Sequence, residues 1–250
     1  VYATGVYHQF VERHQRAMMS LTLLPGETTA TTQRNVAHRG PAFLPWHRQA
    51  LVDLEREMQR VVPGVQIPYW PWDRDGSRWR NSSFITLMGG NGSSSRGYRI
   101  TKGPFRDWNS RLYDAVTNSF YTRSGIVRQF SSTAMPGGPS LSIPFSDVAP
   151  WSERSDATQS FRKSLEDRHN WVHDIVGGDM GVGTAPNDPI FWCHHANTDR
   201  LWAEWQRADA AHGYQPVTGG PTGHNLDDVM GFLVATNVTP RSVLTPPAYG

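Results

Sequence analysis

The sequence predicts a mainly α-helical protein built on a four-helix core, with long irregular loops and little strand. Three observations predict it. Four stretches repeat apolar residues at helical spacing and stop at Pro or Gly. Two of them precede and two follow an excursion over residues 75–151 that is dominated by Gly, Ser, Asn, Arg and Pro. Histidines gather in or beside the same four stretches, which hints at a duplicated arrangement of helix pairs.

Residues 7–24 carry Phe10, Val11, Met18 and Leu21 with no internal Pro or Gly and stop at Pro25-Gly26, so they read as a helix. Residues 28–40 are polar and read as loop. The second helix starts near Pro45, because proline suits the first helical turn, and runs through Leu51, Leu54 and Met58 to Pro63-Gly64. Ile67-Pro-Tyr-Trp-Pro-Trp-Asp73 holds too much proline for a helix or a central strand, so its rings are expected to wrap over a core. The 75–151 excursion is expected to be mostly irregular, with one or two short helices. A stretch of that length without structure counts against the assignment unless its loops are functional. Helical spacing returns over residues 158–176, where Gly177-Gly178 ends it. The fourth helix starts near Pro189 and passes Leu201, Trp202 and Trp205 to residue 211, closed by Gly213. The Pro/Gly/Thr-rich tail from Gln215 is expected to be surface coil with one short helix over 226–235.

Composition excludes several classes. The 250 residues carry 24 Lys+Arg against 22 Asp+Glu, a net charge of +2 with mixed signs, which is no nucleic-acid footprint. No apolar run approaches the roughly 18 residues of a membrane span. The single cysteine, Cys193, excludes an intrachain disulfide framework and a thiolate zinc cluster. The chain opens at Val1 without initiator Met, charged n-region or apolar h-region, so a targeting segment is expected to be absent from it. Secreted and cytoplasmic locations both stay open. Asn81, Asn91 and Asn237 each head an Asn-x-Ser/Thr sequon, which matters in a host that glycosylates.

The histidines carry the chemistry. His169 and His173 stand four apart, which puts both rings on one helical face, where they can chelate one ion. His194 and His195 adjoin in the aromatic run Ile190-Phe-Trp-Cys-His-His195, and buried imidazoles there need partners for both ring nitrogens. His14 on the first helix, His38 in the loop and His47 in Phe43-Leu-Pro-Trp-His47 repeat the chemistry. Three plus three imidazoles make two trigonal sites. An all-nitrogen donor set favours copper over magnesium, calcium or manganese and leaves three-His zinc open.

These motifs resemble the type 3 copper proteins, and within them the short bacterial tyrosinases. The resemblance rests on Tyr7-His-Gln-Phe-Val-Glu-Arg-His14, His38-Arg-Gly-Pro-Ala-Phe-Leu-Pro-Trp-His47, the 67–73 segment, His169-Asn-Trp-Val-His173 with Val176-Gly-Gly-Asp-Met180, and Asn187 through Trp202. It implies one catalytic domain over residues 1–250, a four-helix bundle around a dicopper site, and no C-terminal shielding domain. It assigns His14, His38 and His47 to one copper and His169, His173 and His195 to the other, with His194 packing beside the substrate ring. It implies two copper ions about 3.5–4 Å apart that share one bridging ligand, with O2 as co-substrate. Monophenols would be hydroxylated ortho to their oxygen and o-diphenols oxidised to o-quinones.

The resemblance further implies that Glu166 and Asn170 hold a water that takes the phenol proton, although the Glu166-to-His169 interval is shorter than in bacterial relatives. Asp174, Val182 and Gly183 are expected to line the pocket mouth, where the acid favours cationic phenols. Small phenols are the implied partners, with a copper-delivery helper protein as a family expectation. Val36 stands where many relatives carry a cysteine joined by a thioether to the second ligand, so that crosslink is excluded. Cys193 is expected to be a buried filler. His8, His212 and His224 match no ligand position and are expected to be ordinary surface or loop histidines. The rival readings are a catechol oxidase or o-aminophenol oxidase without monophenolase activity, a haemocyanin-type oxygen carrier and a zinc hydrolase.

Overall fold

In the computed structural model, which describes residues 1–246, helices carry most of the regular structure. The α-helices are α1 (Val6–Met19), α2 (Phe43–Gln59), α3 (Trp72–Asp75), α4 (Ser83–Leu87), α5 (Phe161–Val176) and α6 (Ile190–Ala208). One antiparallel pair, β1 (Asn109–Asp114) and β2 (Ser119–Ser124), is the only named sheet among the described residues. The protein is therefore mainly α, and α1, α2, α5 and α6 are the four core helices that the sequence predicts. No described helix is long and apolar enough to cross a membrane.

Three expectations need correction. The first helix stops at Met19, five residues early, because Thr22 N–H donates to Arg34 O at 3.1 Å and Leu21 bridges Asn35. Tertiary pairing there overrides helical spacing. The excursion contains a regular hairpin, in which Tyr113 faces Phe120 with ring centroids 5.2 Å apart and Asp114 accepts from Val116 N–H to close the turn. Its strands bury only Ser110, so period-2 hydrophobicity is weak and the signal is easily missed. Residues 226–235 form turns instead of a helix. Side chains take up their backbone groups: Asp53 accepts from Val234 and Ala235 N–H, and Trp46 donates to Gly231 O.

The described chain forms two compact units. The first comprises Val1–Gln15, Ile67–Gly137 and Arg168–Asn197. Its proline-rich segment buries Trp70 and Trp72 completely, and Trp70 N–H donates to Cys193 O at 2.9 Å. Trp70 also stacks on Phe84 of α4 at 5.4 Å. Cys193 is buried, and burial pushes its thiol up to about 12, so it is an inert filler. Arg128 and Asp188, both fully buried, pair through two hydrogen bonds at 2.5 and 2.8 Å. Arg128 also donates to Met88 O, which ties the excursion down.

The second unit comprises Arg16–Gln66, Gly138–Asp167 and Thr198–Gly250. Phe161 stacks on Trp205 at 4.8 Å in its core. The buried Arg48 sits 3.8 Å over the Trp202 ring and donates to Asp199 at 2.6 Å, which fixes α2 just after His47. Arg162 is also buried and donates to both oxygens of Asp147 and to Glu166. His224, expected at the surface or in a loop, is wholly buried. Its Nδ1 accepts from Ala42 N–H at 3.0 Å and its Nε2 meets Thr22 Oγ1 at 3.0 Å. Burial, reinforced by Arg34 and Arg162, lowers its pKa to about 3. His212 is half-buried and stacks on Trp205 at 4.0 Å, while His8 is half-buried against Tyr2.

Candidate metal centre

His169 and His173 share one face of α5, one turn apart, and α6 brings His194 and His195 to them. His173 Nδ1 lies 2.5 Å from Met180 O, and His169 Nδ1 lies 3.0 Å from Asn170 Oδ1. A carbonyl oxygen accepts and cannot donate, so each Nδ1 carries the hydrogen and each Nε2 presents a bare lone pair. Those Nε2 atoms converge: His169 to His173 is 3.1 Å and His169 to His195 is 3.0 Å. Nitrogens bound about 2.0–2.1 Å from one ion at roughly 100° to each other stand about 3.1 Å apart. Converging lone pairs repel one another unless a cation occupies their focus, so this donor set fits a metal. Burial lowers the pKa of His173 to about 4, which keeps the ring neutral and ready to bind at neutral pH.

The doublet separates by orientation. His194 is fully buried and stacks almost parallel on His169, with centroids 4.7 Å apart and planes at 19°, and it also meets Trp72 at 5.7 Å. His195 lies at 66° to His169 with its Nε2 on the focus. Phe191 closes the apolar side of these rings, 4.1 Å from His195 and 5.8 Å from His173.

His14 on α1 follows the same logic. Its Nδ1–H donates to Gly183 O at 2.8 Å, Phe191 lies 5.0 Å away, and burial lowers its pKa to about 4. In the second unit His38 and His47 stand with centroids 4.8 Å apart at 69°. His47 Nδ1–H donates to Phe43 O at 2.8 Å. Asn35 Oδ1 accepts from the N–H groups of Ala37 and His38, which bends the loop that presents His38. Within the first unit, His169, His173, His194 and His195 have ligand atoms placed to hold a metal ion.

The remaining candidates divide. Glu166 is buried, with Oε1 accepting from Arg39 N–H at 2.6 Å and Oε2 from Arg162 at 3.0 Å. Burial pushes its carboxyl upward against the pull of Arg162 and the Arg39 N–H. Asn170 is exposed and touches the His169 ring. Asp174 and Val182 are exposed and Gly183 is half-buried. Sequence reading missed the carbonyl acceptors Met180, Gly183 and Phe43, because every residue owns a carbonyl and only the fold selects which one faces a ring. It also missed the Asn35 turn, although Asn three residues before a loop histidine is a readable turn signal.

Comparison with known proteins bears on this site. A family model of the common central domain of tyrosinase matches residues 4–208. A tyrosinase of Streptomyces lincolnensis is 39% identical over 234 residues, covering 90% of this chain and 81% of that protein. A tyrosinase of Streptomyces galbus is 36% identical over 258 residues, covering 98% and 88%. Grixazone synthase of Streptomyces griseus is 33% identical over 237 residues, covering 81% and 75%.

Proposed function

The chain belongs to the tyrosinase family of type 3 copper oxidoreductases, and from that premise we propose that it both hydroxylates monophenols and oxidises o-diphenols to o-quinones with O2. In this reading His14, His38 and His47 hold one copper, and His169, His173 and His195 hold the other. The observation that carries it is the focus of Nε2 lone pairs 3.0–3.1 Å apart on α5 and α6, with Nδ1–H of His169 and His173 tied to oxygen acceptors. When bound, the copper pair supplies the redox chemistry that activates O2 for phenol oxidation.

The chain's own residues do the rest. Met180 O, Gly183 O and Phe43 O hold three rings in the tautomer that leaves Nε2 basic. Phe191 gives the imidazoles an apolar wall that excludes water and strengthens electrostatic interactions there. His194 packs on His169 and fixes its plane. In this reading Asn170, exposed beside that ring, holds a water that takes the phenol proton. Glu166 contributes through the loop that carries His38, since its oxygens accept from Arg39 and Arg162. Asp174, Val182 and Gly183 form the rim that the phenol passes. Delivery of copper by a small helper protein belongs to the same proposal, because His14, His169 and His195 are each at most 3% exposed.

Oxygen uptake with a monophenol, a catechol and an o-aminophenol, in the parent and in Asn170→Ala, tests the reading. The parent should consume oxygen with the monophenol and the catechol, and Asn170→Ala should slow hydroxylation more than catechol oxidation. Turnover of catechol alone would overturn monophenolase activity, and equal losses in the variant would remove Asn170 from proton transfer.

A further inference from the structure

The loop that follows α5 serves imidazoles of both proposed copper sets. Within residues 177–183 it offers Met180 O to His173 and Gly183 O to His14. The ring orientations of both depend on where this one loop lies. The loop and the end of α5 before it are pinned to residues 127–131 of the excursion: Asp179 N–H donates to Val127 O at 2.8 Å, while Gln129 N–H donates to Val176 O at 3.2 Å and Ser131 N–H to Ile175 O at 2.9 Å. The approach is too close for side chains. A Cβ on Gly178, whose φ is +62°, would lie 2.3 Å from Val127 O.

One side chain locks the loop. Asp179 is 2% exposed, and its carboxylate accepts from Ser110 Oγ at 2.8 Å, from Val127 N–H at 3.0 Å and from Arg123 Nη2 at 2.6 and 2.7 Å. Ser110 lies on β1 and Arg123 on β2, so the hairpin inside the long excursion supplies these donors. A buried carboxylate with this many charge-assisted and neutral partners has one stable position.

We propose that Asp179, keyed by Arg123 and Ser110, is a positioning residue for both copper sets, fixing the loop so that Met180 and Gly183 hold His173 and His14 with Nδ1–H bound and Nε2 turned to the metal. The inference rests on the ligand reading above and adds a role for the excursion: the hairpin is the far anchor of the ligand geometry. Hydrogen-bond partners of metal-binding histidines typically change affinity by about 10–100-fold when removed, so loosening the loop that carries them acts on the same scale.

Two readouts other than turnover test this on the whole chain. Long-range nitrogen–proton NMR correlations report the tautomer of each imidazole in 15N-labelled, metal-free protein at neutral pH. Chelator competition reports the affinity for each copper. The parent should show His14 and His173 in the Nδ1–H form. Asp179→Asn should mix the tautomers of both and weaken both coppers together by about tenfold or more. Arg123→Met should move the same signals part of the way, and Arg123→Lys should stay near the parent. A merely structural role would lower the melting temperature while leaving tautomers and affinities of the folded protein unchanged, and that result would overturn the proposal. Should Asp179→Asn fail to fold, Arg123→Met decides by the same readouts, because Arg123 is 28% exposed and its loss leaves no buried cavity. A parent that loads fewer than two coppers overturns the ligand reading and this inference with it. A parent that loads two, with variants indistinguishable from it, overturns this inference alone.

Discussion

The two proposed ligand sets are delivered by different structural means. His169, His173 and His195 all stand on helices, two of them one turn apart on α5 and the third in the first half of α6. Helical geometry aims two of those rings before any tertiary contact forms. His38 has no such support. It sits in a loop whose course depends on the Asn35 turn and on Arg39, whose φ is +59° and whose N–H is held by Glu166. Behind Glu166 stand Arg162 and Asp147, all buried. A helix-borne ligand pair thus comes from local periodicity, whereas a loop-borne ligand needs buried polar anchors, which are costly to disturb.

The largest expected effect breaks the helix-borne set itself. His195→Ala should remove one copper and abolish turnover, while His194→Ala should keep both coppers, because His195 Nε2 stands 3.0 Å from His169 Nε2 whereas His194 stacks on the His169 ring. Metal analysis with activity assays decides it. Copper lost from His194→Ala and retained by His195→Ala would reverse the assignment.

Glu166→Ala probes the loop-borne side. Stripping the buried Arg162 of one partner should cost about 3–5 kcal/mol in denaturant unfolding of the metal-free protein. In whatever folded protein remains, the copper held through His38 should be lost first. Equal loss of both coppers would erase the distinction between the two sets.

A third test uses acid. His224 receives Ala42 N–H at the start of α2, and burial holds its pKa at about 3, well below the roughly 6.5 of an unfolded histidine. Above that unfolded value both states are neutral and the contribution to stability is complete. As pH falls toward the folded value, the unfolded chain takes up a proton that the folded one refuses, so stability declines by about 1.4 kcal/mol per pH unit for this group. The stability gap between the parent and His224→Gln in metal-free protein should therefore narrow as pH drops from 6.5 toward 3. A constant gap would show that His224 does not anchor this region as a neutral ring.

The four core helices were legible in the sequence because their apolar spacing and their Pro and Gly stops are local signals. His169 and His173 were legible for the same reason. The early end of α1 at Met19 was not, since it is set by pairing with Arg34 and Asn35. Nor was the burial of His224, whose partners Thr22 and Ala42 lie about 180–200 residues away in the chain. The hairpin of residues 109–124 escaped because its strands bury only Ser110 and so show no apolar alternation. Glu166 shows what a motif leaves out: likeness pairs it with Asn170 in holding a water, and only the fold shows that its oxygens accept from Arg39 and Arg162.

The smallest expected effect lies at the rim. Asp174 is exposed on α5, and a carboxylate there should favour amine-bearing phenols over carboxylate-bearing ones by about 1 kcal/mol at 4 Å in water. Comparing tyramine with 4-hydroxyphenylpropionic acid in the parent and in Asp174→Asn, at low and high salt, reads that difference. A ratio unchanged by both the substitution and salt would show that the charge is not sensed.

Copper content per chain tests the central claim most directly, measured in the parent, in His173→Ala and in His38→Ala. Two separate sets of three imidazoles predict two coppers in the parent and one in each variant, with turnover absent from both. One copper or zinc alone in an active parent, or a His38→Ala variant that keeps two coppers, would contradict the account.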